Sequence, residues 1–350
     1  MIFRQLFDRE TCTYTYLLAD EASRDAVIID PVFEQHQRDL ALIQELDLKL
    51  KYCLDTHCHA DHVTAAWVLR EKTGCVYGLA KANKAKFVDM ELVGGEEIKV
   101  GSFTIKVIAT PGHTSGCLSF LVDKSVFTGD CLFVRGCGRS DFQSGDPKDL
   151  YHSIREKLFS LTDDTVVYPG HDYNGCLYST IGEEKKHNPR IGGKANETDF
   201  VGFMNNLNLP HPKKIAEALP ANLKSGKPNS KVEESWAPII HSYAGVPQVD
   251  PQWVEQNLSS LQVIDVRNEE ELIESGFVDS SINIPLDQLV SEVDKLNKDQ
   301  NTVIICRSGR RSAQAVKLLQ KEQFTKIANV RGGILDWIDE GLRIVSKKAK

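Results

Sequence analysis

Short apolar runs broken by polar turns fill the first half of the chain. Ile2–Phe7, Tyr14–Ala19, Ala26–Asp30, Leu50–Asp55, Phe103–Ala109, Leu118–Asp123, Val126–Thr128 and Val166–Tyr168 have the length and β-branched or aromatic content of strands. Helical spacing of apolar positions over Arg38–Leu46, Val63–Lys72 and Leu150–Leu161 predicts helices between them. Strands dominate first and then alternate with helices, which gives an α/β fold with a sandwich of sheets. From 205 to 260 prolines and glycines punctuate the pattern, among them Pro210, Pro212, Pro220, Gly226, Pro228, Pro238, Gly245, Pro247 and Pro251. This predicts a C-terminal extension of the first domain and a linker near Trp236–Pro247.

A compact alternation follows. Strands are predicted at Leu261–Val266, Ile282–Ile284, Thr302–Cys306 and Ile327–Asn329. Helices are predicted at Glu269–Ser275, Val290–Leu296, Arg311–Gln320 and Ile334–Glu340. That is a small doubly wound α/β domain. The expected domains are therefore 1–240 and 247–350, with a frayed tail at Lys347–Lys350.

The chain has 350 residues, enough for two domains. It carries a net charge of −7, which argues against nucleic acid or an anionic membrane surface as partner. No apolar run approaches the ~20 residues of a membrane span, and the charged start does not read as a secretory signal. The 9 cysteines form no Cys-x-x-Cys pair, so free thiols in a reducing cytoplasm are expected rather than a disulfide framework.

Four polar motifs sit at strand ends: His57-Cys58-His59-Ala60-Asp61-His62, Pro111-Gly112-His113-Thr114, Gly129-Asp130 and Pro169-Gly170-His171-Asp172-Tyr173. Sites in α/β folds gather beyond the carboxyl ends of strands, and the glycines permit the sharp turns needed there. A lone His-x-His is often only a polar loop. Four such loops, each with a metal-ligand residue, predict a metal site. His36, His152, His187, His211 and His241 read as surface or local hydrogen-bonding groups.

The set His57, His59, Asp61, His62, His113, Asp130 and His171 resembles the metallo-β-lactamase superfamily, an αββα sandwich, over about residues 1–240. Glyoxalase II-like thioester hydrolases of that superfamily hold two metals with all of these ligands. Persulfide dioxygenases hold one Fe(II) through the equivalents of His57, His113 and Asp130. Arg135-Gly136-Cys137-Gly138-Arg139-Ser140-Asp141-Phe142-Gln143, His171-Asp172-Tyr173-Asn174-Gly175 and Asn206-Leu207-Asn208-Leu209-Pro210 resemble the dioxygenases. The resemblance implies that His59, Asp61, His62 and His171 surround those ligands and orient them or a metal-bound water. It also implies glutathione as co-substrate, gripped by Arg139 and Tyr173, and glutathione persulfide and O2 as substrates. Cys137 reads as a buried structural thiol.

The strand Val303–Ile305 ends at Cys306-Arg307-Ser308-Gly309-Arg310-Arg311, and a helix follows. Loop amides, a helix N-terminus and three arginines are what a reactive thiolate requires. Phosphatase cradles carry an Arg six positions after the Cys, where this chain has Ser312. The loop instead resembles a rhodanese, as do Ile264-Asp265-Val266-Arg267, Gly276–Pro285 and Val330–Trp337, over about residues 247–345. Asp265 and Arg267 read as a structural ion pair near the cradle. The expectation is a persulfide dioxygenase–rhodanese fusion that passes sulfur from thiosulfate to glutathione through Cys306, and a homo-oligomer is compatible with it. The rivals are a dinuclear zinc thioester hydrolase joined to a rhodanese, and a sulfur carrier or redox sensor.

Overall fold

The structure is a computed structural model that describes residues 1–228 and 235–346. The predicted tail at Lys347–Lys350 lies outside the described residues. The chain forms two compact units.

The first unit contains two six-stranded sheets. One has the order β1 (Ile2–Asp8), β2 (Thr13–Ala19), β3 (Asp25–Ile29), β4 (Lys49–Leu54), β5 (Val76–Ala80), β6 (Met90–Leu92). The other runs β12 (Ser179–Thr180), β11 (Val166–Pro169), β10 (Ser125–Gly129), β9 (Leu118–Val122), β8 (Phe103–Ala109), β7 (Glu97–Val100). Alternate residues point to opposite faces of a strand. The inward set Tyr16, Leu18, Val27, Ile29 and Leu54 thereby meets Ile105, Val107, Phe120, Val122 and Phe127 of the other sheet in one core. Behind the second sheet, Val126 and Val167 pack against Leu150, Ile154, Leu158, Ile181 and Phe200, which lie on helical segments. This is the expected αββα layering.

Two helices differ from expectation. The pattern at Val63–Lys72 yields a helix only over Ala66–Thr73, closed by Gly74 at φ 72°. The preceding residues bond elsewhere: Phe33 donates to Val63 O and Ala65 donates to Pro31 O. The helix predicted at Leu150–Leu161 begins earlier, at Pro147, where Asp146 accepts from the amides of Lys148 and Asp149. Beyond His152 it loosens into a π-helix over Ser153–Leu158.

The second unit is one sheet in the order β13 (Ile240–His241), β14 (Pro247–Val249), β18 (Ile327–Val330), β17 (Thr302–Ile305), β15 (Gln262–Asp265), β16 (Ile282–Asn283). Its four central strands are parallel. The helix Arg310–Lys321 covers one face through Ala315, Val316 and Leu319. Trp337, Ile334 and Val254 cover the other. The stretch expected as a linker instead supplies β13, β14 and the buried Ala237. The helix expected at Val290–Leu296 is only a 3-10 turn at Val293–Lys295, because Leu289 and Leu296 both turn into the core. No described helix is long and apolar enough to cross a membrane.

Candidate metal centre and cysteine cradle

The loop after β4 opens with a turn held by a buried carboxylate. Asp30, at the end of β3, accepts from the Thr56 amide at 2.7 Å and from its hydroxyl at 2.9 Å. Asp30 also accepts from His59 Nε2 at 3.1 Å. The turn brings one ligand atom each from His57, His113 and Asp130 within 4.8 Å of one another. His59, Asp61 and His62 form a second such group, and Asp30, Asp55 and His59 a third. All seven sequence-predicted residues thus converge. Asp130 joins the rest: its Oδ2 lies 3.6 Å from His113 Nε2 and its Oδ1 3.4 Å from His171 Nε2. His171 Nε2 lies 3.6 Å from Asp61.

Backbone contacts set the rings. The carbonyl of Arg139 can only accept, so His113 Nδ1 carries a hydrogen and donates to it at 2.6 Å. Nε2 of His113 then faces Asp130. His171 Nδ1 donates to Cys12 O at 3.2 Å, and His62 Nδ1 pairs with Asp61 at 2.9 Å. Three buried atoms in the cluster have no hydrogen-bond partner: Asp130 Oδ1, His62 Nε2 and His59 Nδ1. Such atoms are costly unless something coordinates or bonds them. Burial holds His57 well below the usual imidazole range, which keeps it neutral and able to ligate. Burial pushes His59 down too, but Asp30 above all, with Asp55 and Asp61, outweighs it and raises the group to about 10. The donor set of two imidazoles and a carboxylate fits a divalent transition metal.

The loop after Cys137 grips the ligand-bearing segments. Gly138 N donates to Asp130 O at 3.0 Å, and a Cβ on Gly138 would stand 2.1 Å from that oxygen. Asp146 N donates to Gly112 O at 2.9 Å, and Gln143 Nε2 donates to Cys58 O at 2.8 Å. Gln143 and Ser144 hold left-handed φ values of 52° and 56° to make these contacts. Phe142 meets His113 edge-on at 5.7 Å.

The residues expected to hold a thiol carrier lie beside this cluster. Tyr173 is 70% exposed and stacks parallel on His171 with ring centroids 6.0 Å apart. The Arg139 guanidinium is already engaged. It forms a fork to both oxygens of Asp141 at 2.6 Å and donates to Pro210 O at 2.6 Å and Leu209 O at 2.9 Å. Cys137 is buried, and burial pushes its thiol up to about 11, as a structural thiol requires.

Sequence reasoning missed Asp30, Asp55 and Asn222, and it named Gln143 only as part of the dioxygenase-like segment, with no role. Asp30 had a signal, a carboxylate at a strand end. Asn222 had none: its Nδ2 donates to His59 O and His62 O at 2.9 and 2.8 Å from far along the chain.

In the second unit Cys306 directly follows β17 and is 1% exposed. Ser312 Oγ donates to its Sγ at 3.2 Å. Gly309, at φ 81°, caps the helix Arg310–Lys321, so the loop turns directly onto a helix N-terminus. Arg307, Ser308 and Arg310 are exposed. Arg311 is not free. Both its terminal nitrogens bond Glu271 at 2.7 and 2.6 Å, which holds that carboxyl near 2, well below the usual range. Asp265 and Arg267 form the expected ion pair, fully buried, at 2.6 Å. Arg267 also donates to Gly276 O at 2.8 Å.

Fold and cluster define a metal-binding αββα sandwich of the metallo-β-lactamase type, followed by a rhodanese-like unit. The model of the metallo-beta-lactamase superfamily matches residues 12–171, and that of the rhodanese-like domain matches residues 250–340. The chain is 48% identical over 229 residues to the mitochondrial persulfide dioxygenase ETHE1 of Mus musculus, covering 65% of this chain and 89% of that one. It superposes on the crystal structure of ETHE1 from Myxococcus xanthus with a TM-score of 0.63 and 52% identity, covering 65% of this chain and 100% of that one. The hydroxyacylglutathione hydrolase GloC of Haemophilus influenzae is 38% identical over 49% of this chain and 90% of its own length. The chain belongs to the persulfide dioxygenase family of the metallo-β-lactamase superfamily and ends in a rhodanese-like domain.

Proposed function

We propose that this protein oxidises a glutathione-type persulfide with O2 at its first unit and transfers sulfane sulfur through Cys306 at its second. The observation that carries the reading is the convergence of His57, His113 and Asp130 within 4.8 Å in a chain of this family. Two His and one carboxylate suit one Fe(II) per chain, which supplies the activation of O2 beside a bound sulfur. His59, Asp61, His62 and His171 stand around that triad. Losing such surrounding groups typically costs ~10–100-fold in metal affinity or activity.

The protein's own groups do the rest. The His113 hydrogen bond to Arg139 O presents Nε2, and Asp30 holds the turn that carries His57 and His59. Tyr173 offers an exposed hydroxyl at the rim. Arg139 offers a guanidinium that a glutathione carboxylate reaches by displacing Asp141 or the carbonyls of Leu209 and Pro210. The overall reaction consumes one persulfide, one O2 and one water. It yields glutathione, sulfite and two protons, with four electrons passing from sulfur to O2. At the second unit, thiosulfate loses its outer sulfur to Cys306, and glutathione takes that sulfur as its persulfide, the substrate of the first unit.

Oxygen uptake and sulfite release with glutathione persulfide, on protein of measured iron content, test the reading. Turnover in proportion to iron supports it. The second group, His59, Asp61 and His62, favours a rival dinuclear hydrolase. Two zinc ions per chain, thioester hydrolysis and no O2 uptake would establish the rival instead.

A further inference from the structure

The face of the second unit's sheet that carries Cys306 is lined by aliphatic side chains. Ile264, Ile304 and Ile327 pack there against Ala315, Val316 and Leu319. Asn329 interrupts that lining. It is the register partner of Ile304, and its neighbours Ala328 and Val330 belong to the opposite core, so its side chain stands on the Cys306 face. The residue is 1% exposed, and neither Oδ1 nor Nδ2 has a hydrogen-bond partner. The carboxamide lies directly under the cradle loop: a Cβ on Gly309 would stand 3.6 Å from Nδ2. An unpaired buried amide costs on the order of 1–3 kcal/mol, and a leucine of nearly the same shape would avoid that cost. A polar group is therefore kept where the resting fold gains nothing from it, beneath a 12-residue helix's N-terminus and a buried thiol.

We propose that Asn329 is a positioning residue of the cradle, whose carboxamide bonds the loop Cys306–Arg310 when Cys306 carries a second sulfur. The inference rests on the sulfur-transfer reading above. In that reaction the Cys306 thiolate attacks the outer sulfur of thiosulfate. A Cys306 S–S bond forms, the S–S bond of thiosulfate breaks, and sulfite leaves with the electron pair. An acceptor thiolate later takes the outer sulfur and returns the Cys306 thiolate, so no further oxidant or reductant is needed. Cys306 is 1% exposed, so the outer sulfur of its persulfide has to be accommodated against the loop that follows it. Asn329 is a buried polar group adjacent to that loop, with two donor hydrogens and an acceptor oxygen unused. It can bond the loop backbone there and keep the loop amides turned toward the anionic sulfur.

The test uses Asn329→Leu and Asn329→Asp in the full chain. Melting temperature is measured before and after loading with thiosulfate alone, and steady-state thiosulfate:glutathione transfer is followed. Unloaded Asn329→Leu is expected to melt at or above the parent temperature. Its kcat for transfer should fall at least tenfold, and the parent's thermal shift on loading should disappear. Asn329→Asp, which sets a like charge beside the anionic sulfur, should be slower still. Parental kcat and loading shift in Asn329→Leu would overturn the proposal, as would a lower melting temperature of the unloaded variant, which marks a purely structural residue. A parent with no sulfur transfer at all would refute the underlying reading, and the inference with it.

Discussion

The two metal models rank the same substitutions differently, and the geometry supplies the magnitudes. They part at His171, which lies beside the shared candidate ligand Asp130. Its Oδ2 faces His113 and its Oδ1 faces His171. In a one-iron centre built on His57, His113 and Asp130, Asp130→Ala or His113→Ala leaves two ligands and should lose most of the iron. His171→Ala removes only a neighbour of Asp130, held by Cys12 O on its far side. Loss of such a neighbour typically weakens metal binding ~10–100-fold, about 1.4–2.7 kcal/mol. His62→Ala removes a ring paired with Asp61 and should act in the same range. The assay is iron per chain after anaerobic reconstitution, followed by competition with a graded series of chelators. The expected order is one iron in the parent, most of it kept in His62→Ala and His171→Ala at saturating iron, and little kept in His113→Ala and Asp130→Ala. Two metals per chain in the parent, falling to one in His171→Ala, would refute the one-iron reasoning and leave the fold untouched.

Cys306→Ser is expected to abolish thiosulfate:thiol sulfur transfer while O2 uptake with glutathione persulfide stays within twofold of the parent, and loss of both activities in folded protein would contradict two separate centres. Arg139→Ala is expected to lower kcat/KM for glutathione persulfide roughly tenfold or more, the worth of one charge-assisted hydrogen bond, with iron content unchanged; an unchanged kcat/KM would confine Arg139 to tying down Leu209 and Pro210. Glu271, bonded by Arg311, has its folded pKa lowered from 4.5 to about 2. A depressed carboxyl stabilises the fold above its unfolded pKa, so its contribution should be complete above about pH 4.5 and vanish as pH falls toward 2. Denaturant midpoints of the parent and Glu271→Gln measured from pH 2 to 7 should therefore diverge as pH rises, and parallel curves would refute the assignment.

How much was legible in the sequence can be argued from particular residues. The candidate metal-site residues His57, His113, Asp130 and His171 were readable because each sits beside a glycine or in a dense cluster at the end of an apolar run, and that geometry is local. Cys306 and its loop were readable for the same reason, as was the ion pair of Asp265 with Arg267, two positions apart. The strands β5, β6, β7 and β12 were not predicted; β6, β7 and β12 have only 3, 4 and 2 residues, too few to carry a period. The strands β13 and β14 hid in a proline-rich stretch: β13 is an edge strand, and Pro247 stands at the first residue of β14, where proline is tolerated.

The chain by itself determined which residue types stand at which strand ends and the order of the two folds. It could not determine which of those side chains remain free to act. Arg311 and Arg139 read alike as anion-binding arginines, yet Glu271 engages one, and Asp141 with two distant carbonyls engages the other. Asn222 reaches back to His59 and His62 across the fold, and Asn329 is left unpaired beneath a loop it does not adjoin in sequence. Local geometry follows from neighbouring residues, whereas pairing and burial depend on partners that only the closed fold brings within hydrogen-bond reach.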